Sequence, residues 1–189
     1  DWPTLHACHP QLCMVSIVGA RGARADEPGH DLTYLAENDL VTGLDLPATL
    51  YADMGGSLLT TEAVLSALLR RASAAGQGQG VFQEIALSDA AGYLALPRQW
   101  GLTTPDGAVG GAHAGYRIYP CKNGRVALAA LEPHFAQRLC DAAGLRAGSA
   151  QKMHTRSTRE AIAAFLLSQT RAQLDKLARE ADIPLHTLR

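Results

Sequence analysis

Residues Leu12 to Val18 (L-C-M-V-S-I-V) form an apolar run interrupted only by Ser16 and bounded by His9-Pro10 and Gly19. Such a run predicts a buried strand of the parallel-sheet type. The stretch G-A-R-G-A-R-A-D-E-P-G that follows, rich in glycine and charge, predicts a loop. A short helix is expected from about His30, with Asp31 in its first turn, where negative charge suits the helix dipole. From Met54 to about Ala75 the period becomes helical, with Leu58, Leu65, Leu68 and Leu69 on one broad stripe. Arg70 and Arg71 suit the end of that helix, and Gly76 is a candidate stop. G-V-F-Q-E-I-A-L then predicts a second strand, and Ser88 is a candidate cap for a helix running to about Gln99. Strand, helix, strand, helix is the rhythm of an α/β layer.

The pattern changes after Trp100. G-L-T-T-P-D-G-A-V-G-G-A-H-A-G holds too much glycine for a packed element, and predicts a linker or active-site loop. Two apolar runs, Y-R-I-Y-P-C and R-V-A-L-A-A-L, flank Lys-Asn-Gly. Asn-Gly there predicts a hairpin, because both residues tolerate positive φ. Pro133 fits the first turn of a helix to about Ala143. Ser157 with Glu160 and Thr170 with Gln173 each match a capping box. The final A-D-I-P-L-H-T-L-R reads as a return to extended chain. The expected division is residues 1–110 as an α/β part with its linker, 111–182 as a small α+β part, and 183–189 as the start of a return to the first domain.

At 189 residues and 20.0 kDa the chain has room for one domain or parts of two. It is 47% hydrophobic and 19% charged, a balance that excludes a disordered chain. The net charge of -1 and pI near 6.7 give no electrostatic reason to expect nucleic acid or an anionic membrane as partner. Cys8, Cys13, Cys121 and Cys140 form no C-x-x-C pair, so reduced structural thiols and a cytoplasmic setting are expected. There is no apolar run long enough to span a bilayer, and no signal-peptide pattern at the start.

Three acid/base residues stand in distinctive frames: His30 in P-G-H-D-L-T-Y-L, Asp53 in Y-A-D-M-G-G-S, and Glu132 in A-L-E-P-H-F. Each has a structural reading. Asp53 suits an N-cap, His30 a loop or cap, and Glu132 a carboxylate facing a helix N-terminus. Gly55 and Gly56 disfavour a helix by roughly 1 kcal/mol each relative to alanine. That cost makes sense where something approaches the backbone closely. The remaining histidines do not assemble into a ligand set, and no metal site is expected.

The three frames, in this order, resemble the family III CoA-transferase (CaiB/BaiF) superfamily, with α-methylacyl-CoA racemase as the most similar branch. Gly29 to Leu35 reproduces that branch's G-H-D-x-x-Y-L, and L-E-P-H-F is similar to its E-P-x-F. The resemblance implies a partial Rossmann-like large α/β domain followed by a small α+β domain. It further implies proton transfer at the carbon α to a CoA thioester of the 2-methylacyl type. His30, oriented by Glu132, would serve one face of that carbon and Asp53 the other. Asp31, Tyr34, Gly55 and Gly56 are implied neighbours of the thioester. Backbone N–H groups at the start of the Asp53 helix are candidates to receive the enolate oxygen. The substrate is an acyl-CoA, with no separate cofactor, and an interlaced homodimer is implied. Two alternatives stay open: a CoA-transferase with Asp53 as nucleophile, or an inactive fragment of either enzyme. The resemblance covers only the middle of the family's longer sequence and there is no starting Met, so further residues at both ends are expected. These 189 residues alone are expected to bind CoA weakly.

Overall fold

The computed structural model describes residues 1–146 and 148–189. The chain divides into two compact units, Asp1–Leu96 and Pro97–Arg189. The glycine-rich segment expected to close the first domain therefore belongs to the second.

In the first unit the apolar run forms β1 (Met14–Val18), after a short helix α1 (Trp2–Cys8) that the sequence pattern did not suggest. α1 starts where the Asp1 carboxylate accepts the Thr4 N–H at 3.0 Å, and Trp2 stacks on Phe82. Strand β2 (Phe82–Ala86) runs parallel to β1 in the register Met14↔Phe82 to Val18↔Ala86. Between them lie α2 (Asp31–Glu37) and the long α3 (Tyr51–Ala72); α4 (Leu87–Leu94) follows β2. Ser88 does not cap α4. Ala86 holds that position without a side-chain bond, because the helix starts directly off the strand. Likewise α3 stops at Ala72, with Ser73 as its C-cap, before Gly76 is reached.

The leucine stripe of α3 does not face the core. Leu58 and Leu69 are each 72% exposed, and Leu65 and Leu68 are exposed as well. The buried face consists of Ala52, Gly56, Ala63 and Ala67. Small side chains let α4 lie close: a Cβ at Gly56 would meet Leu87 Cδ2 at 2.3 Å, and one at Gly55 would meet Leu94 and Ala90. The close approach that these glycines permit is thus that of a neighbouring helix.

In the second unit α5 (Leu96–Gln99), whose first residue closes the first unit, leads into the glycine-rich segment. That segment folds into turns closed by Gly107 N–H to Thr104 O and Val109 N–H to Leu102 O. Strands β3 (Tyr116–Cys121) and β4 (Gly124–Ala129) form the predicted hairpin around Lys122-Asn123. Neither Asn123 nor Gly124 has a positive φ. Gly124 is required for a different reason, because a Cβ there would lie 2.4 Å from Leu188 O on the neighbouring strand. That strand, β5 (Leu185–Leu188), pairs antiparallel with β4 and gives the order β3-β4-β5. The final extended segment thus completes the small sheet. Helices α6 (Pro133–Ala142), α7 (Arg156–Ser168) and α8 (Arg171–Ala181) complete the unit, around a core that includes Leu139, Cys140, Ile162, Leu166 and Leu174. The Thr170–Gln173 capping box is present. The one proposed at Ser157 is not: Thr155 caps α7, its hydroxyl accepting the Thr158 N–H.

Candidate active site

His30 ends the Pro28-Gly29 turn in extended conformation (φ -142°, ψ 171°) at the N-cap of α2. Thr33 closes on its backbone: the hydroxyl accepts the His30 N–H at 3.0 Å and donates to His30 O at 2.8 Å. This fixes the backbone of His30, and the residue is exposed. Gly29 is needed because the Tyr34 ring lies where its Cβ would be, with Cε1 at 2.7 Å. Tyr34 is buried, wedged against Gly19 and Gly29, and so braces the turn that carries His30.

Asp31 joins the two helices. Its carboxylate is buried, and Oδ1 accepts the N–H of Ala52 at 2.6 Å and of Asp53 at 3.0 Å. These are the second and third residues of α3, so Asp31 performs from another helix the capping task that Leu50, the N-cap of α3, cannot. A negative charge at that end also complements the helix dipole. Asp53 is therefore not the cap. It sits half-buried in the first turn, its backbone held by the residue next to His30, and its carboxylate forms no ion pair among the described residues. One side chain thus draws together the starts of the helices that carry His30 and Asp53.

The same arrangement corrects one expectation. Tyr51 N–H donates to Thr49 O, those of Ala52 and Asp53 to Asp31, and that of Met54 to Leu50 O. Every N–H in the first turn of α3 has its acceptor, so none is left over for an enolate oxygen.

Glu132, in the second unit, is the N-cap of α6 with no side-chain capping bond. Pro133 holds the first helical position, where its missing N–H leaves no intrahelical bond unmade. The carboxylate is exposed and not committed to the helix end. Nearby, His113 is buried and meets His154 edge-on, with ring centroids 5.2 Å apart. Sequence reading did not single out this pair, since 41 positions separate the two histidines. Burial, then the neighbouring His154, push the His113 imidazole below the usual histidine range.

A mixed α/β unit with acid/base groups on two helix starts, followed by a small sheet covered by helices, is the class of protein defined here. The sequence model of CoA-transferase family III matches residues 1–189, and the chain belongs to that family. A CaiB/baiF CoA-transferase family protein of Caenorhabditis elegans is 28% identical over 144 residues, which are 68% of this chain and 42% of that protein. The orthorhombic form of Rv3272 from Mycobacterium tuberculosis superimposes with a TM-score of 0.80 at 18% identity, covering 100% of this chain and 55% of that one. A CAIB/BAIF family protein from Brucella suis gives 0.72 at 20% identity, covering 100% and 56%. The chain thus spans little more than half the length of these solved structures and less than half that of the nematode relative.

Proposed function

We propose that this protein moves a proton at the carbon α to a CoA thioester, as an acyl-CoA racemase or epimerase of the 2-methylacyl type. The observation that carries this reading is the double hydrogen bond from Asp31 to the start of α3, because it holds the segments bearing His30 and Asp53 beside each other. Imidazole exchanges protons near neutral pH, and a carboxylate can act as base in one direction and as conjugate acid in the other. His30 takes the α-proton from one face and Asp53 returns one to the other, with the roles exchanged in the reverse direction. Fixing the α-carbon between the two groups contributes as much as their acidity. Glu132 is assigned the orientation of His30, an assignment that rests on the E-P-x-F resemblance. An interlaced homodimer and a cytoplasmic location belong to the same proposal. Among the described residues no helix is long and apolar enough to cross a membrane.

The second reading is favoured by the name of the nematode relative. In it the Asp53 carboxylate attacks the thioester carbonyl, CoA leaves as thiolate, and a mixed anhydride forms on Asp53. Variants separate the two. In deuterated water without an acceptor acid, His30→Gln should abolish deuterium uptake from one enantiomer of a 2-methylacyl-CoA. Asp53→Asn should abolish uptake from the other. Each loss should be about 100-fold or more. A His30→Gln variant with unaltered exchange from both enantiomers would refute the proposal.

A further inference from the structure

The buried His113 lies in the second unit, and its Nδ1 accepts the N–H of Gly115 at 3.1 Å. Gly115 O in turn accepts the Ala130 N–H at 2.7 Å, two residues before Glu132. The His113 ring also shares the lining of a 310 Å³ cavity with Leu131 and Pro133, the two residues that flank Glu132. Gly115 cannot carry a side chain here, since a Cβ would lie 2.2 Å from Ala130 O and 2.9 Å from the His113 ring. A chain of fixed contacts therefore runs from the imidazole through one glycine to the strand end that presents Glu132.

We infer that His113, in its neutral form, is a positioning residue for Glu132. The inference rests on the assignment of Glu132 made above. Only an unprotonated Nδ1 accepts a hydrogen bond, so a proton there would set two donors face to face and break the link to Gly115. The surroundings oppose that proton. The segment before α7 presents His154, edge-on to the ring. From α7, Arg159 donates to Ala112 O, and from β3, Arg117 donates to Gly111 O while the Tyr119 hydroxyl donates to Ala114 O. α6 presents Ala136 and Gln137, and the stretch before His154 presents Ala150, Gln151 and Met153. Among the described residues no carboxylate lines that cavity. Apart from the exposed Glu132, which does not line the cavity, every charged or chargeable neighbour named here is a cation or a neutral donor. Acidification therefore releases Gly115 and loosens the platform under Glu132.

The test compares the intact protein with His113→Asn and His113→Leu between about pH 5 and pH 8. Asparagine Oδ1 takes the place of Nδ1, forms the same two-residue turn and does not titrate. The readouts are amide exchange at Gly115 and Ala130, corrected for intrinsic rates, and deuterium uptake by the thioester. In the unaltered protein, protection of both amides should fall by up to about tenfold for each pH unit between the ordinary histidine value and the lowered value of His113. Thioester exchange should fall with it. His113→Asn should hold the amide protection flat on the acid side and lessen, without removing, the acid loss of thioester exchange, because the reaction still uses an imidazole base. His113→Leu should lack the protection at every pH. Protection that persists while His113 titrates by NMR overturns the inference, as does an acid loss in the asparagine variant equal to that of the unaltered protein. The asparagine comparison stands even if the leucine variant does not fold. If no variant exchanges the thioester while the amides behave as stated, the racemase reading fails and His113's part in catalysis falls with it. If thioester exchange is normal and the amide pattern is absent, only the present inference fails.

Discussion

Asp31 is the residue on which the first unit's site depends. Its carboxylate is buried and satisfies two N–H groups that meet no other acceptor among the described residues. Asp31→Ala would leave both donors buried or half-buried without a partner, a loss of about 2 to 4 kcal/mol, measurable by urea denaturation. Asp31→Asn keeps one acceptor oxygen and should lose roughly half as much. The sequence frame pointed to Asp31 as a neighbour of the thioester, and its capping of a helix 21 residues further on could not be read there. Helix-start chemistry is local in sequence only when the cap is local, and here the cap comes from another helix. For His113 the pH dependence has a definite sign. Its proton affinity is lowered in the folded state, so the stability it contributes is fully present above the ordinary histidine value. That contribution is lost as the pH falls through the range below. A stability of the second unit that rises on acidification through that range would contradict this.

At the scale of elements, α3 shows how an apolar period can mislead. The leucines gave the helix its visible stripe, but the packed face is the quieter one of Ala52, Gly56, Ala63 and Ala67. Alanine and glycine carry little hydrophobic signal, yet they set how closely α4 can lie. Leu58→Gln and Leu69→Gln should therefore change the stability of the unit by less than about 0.5 kcal/mol. Ala67→Leu, on the packed face, should cost about 1 to 3 kcal/mol through overpacking. The reverse order of effects in thermal melts would mean that α3 is rotated from the orientation described. The hairpin was legible from Lys-Asn-Gly, while the reason for the glycine was not. Gly124 makes room for Leu188 O across the sheet rather than supplying a left-handed turn. Gly124→Ala should accordingly detach β5 while sparing the β3–β4 pairing, seen as lost amide protection over Leu185–Leu188 alone.

At the scale of the molecule, the two units differ in what holds them. The second has a continuous core with fully buried Leu139, Ile162, Leu166 and Leu174, whereas the buried cluster of the first is Tyr34, Leu35, Ala52 and Ala91. Less buried apolar area gives less stabilisation, at about 25 cal/mol per Å². In a urea series followed by amide exchange, the first unit should therefore open at lower denaturant than the second. The α/β character, both strands of the first sheet and most helices were legible from periodicity, because those elements are set by local pattern. The division after Leu96 was not, because glycine content resembles a linker even where, as over residues 101–115, the turns pack against their own carbonyls. The measurement that bears most directly on the function is made with the intact protein and a single enantiomer of a 2-methylacyl-CoA in deuterated water, with no carboxylic acid added. Loss of optical activity accompanied by deuterium at the α-carbon is the predicted result. Retained configuration and an undeuterated α-carbon, with CoA exchange appearing only when a second carboxylate is supplied, would contradict the account.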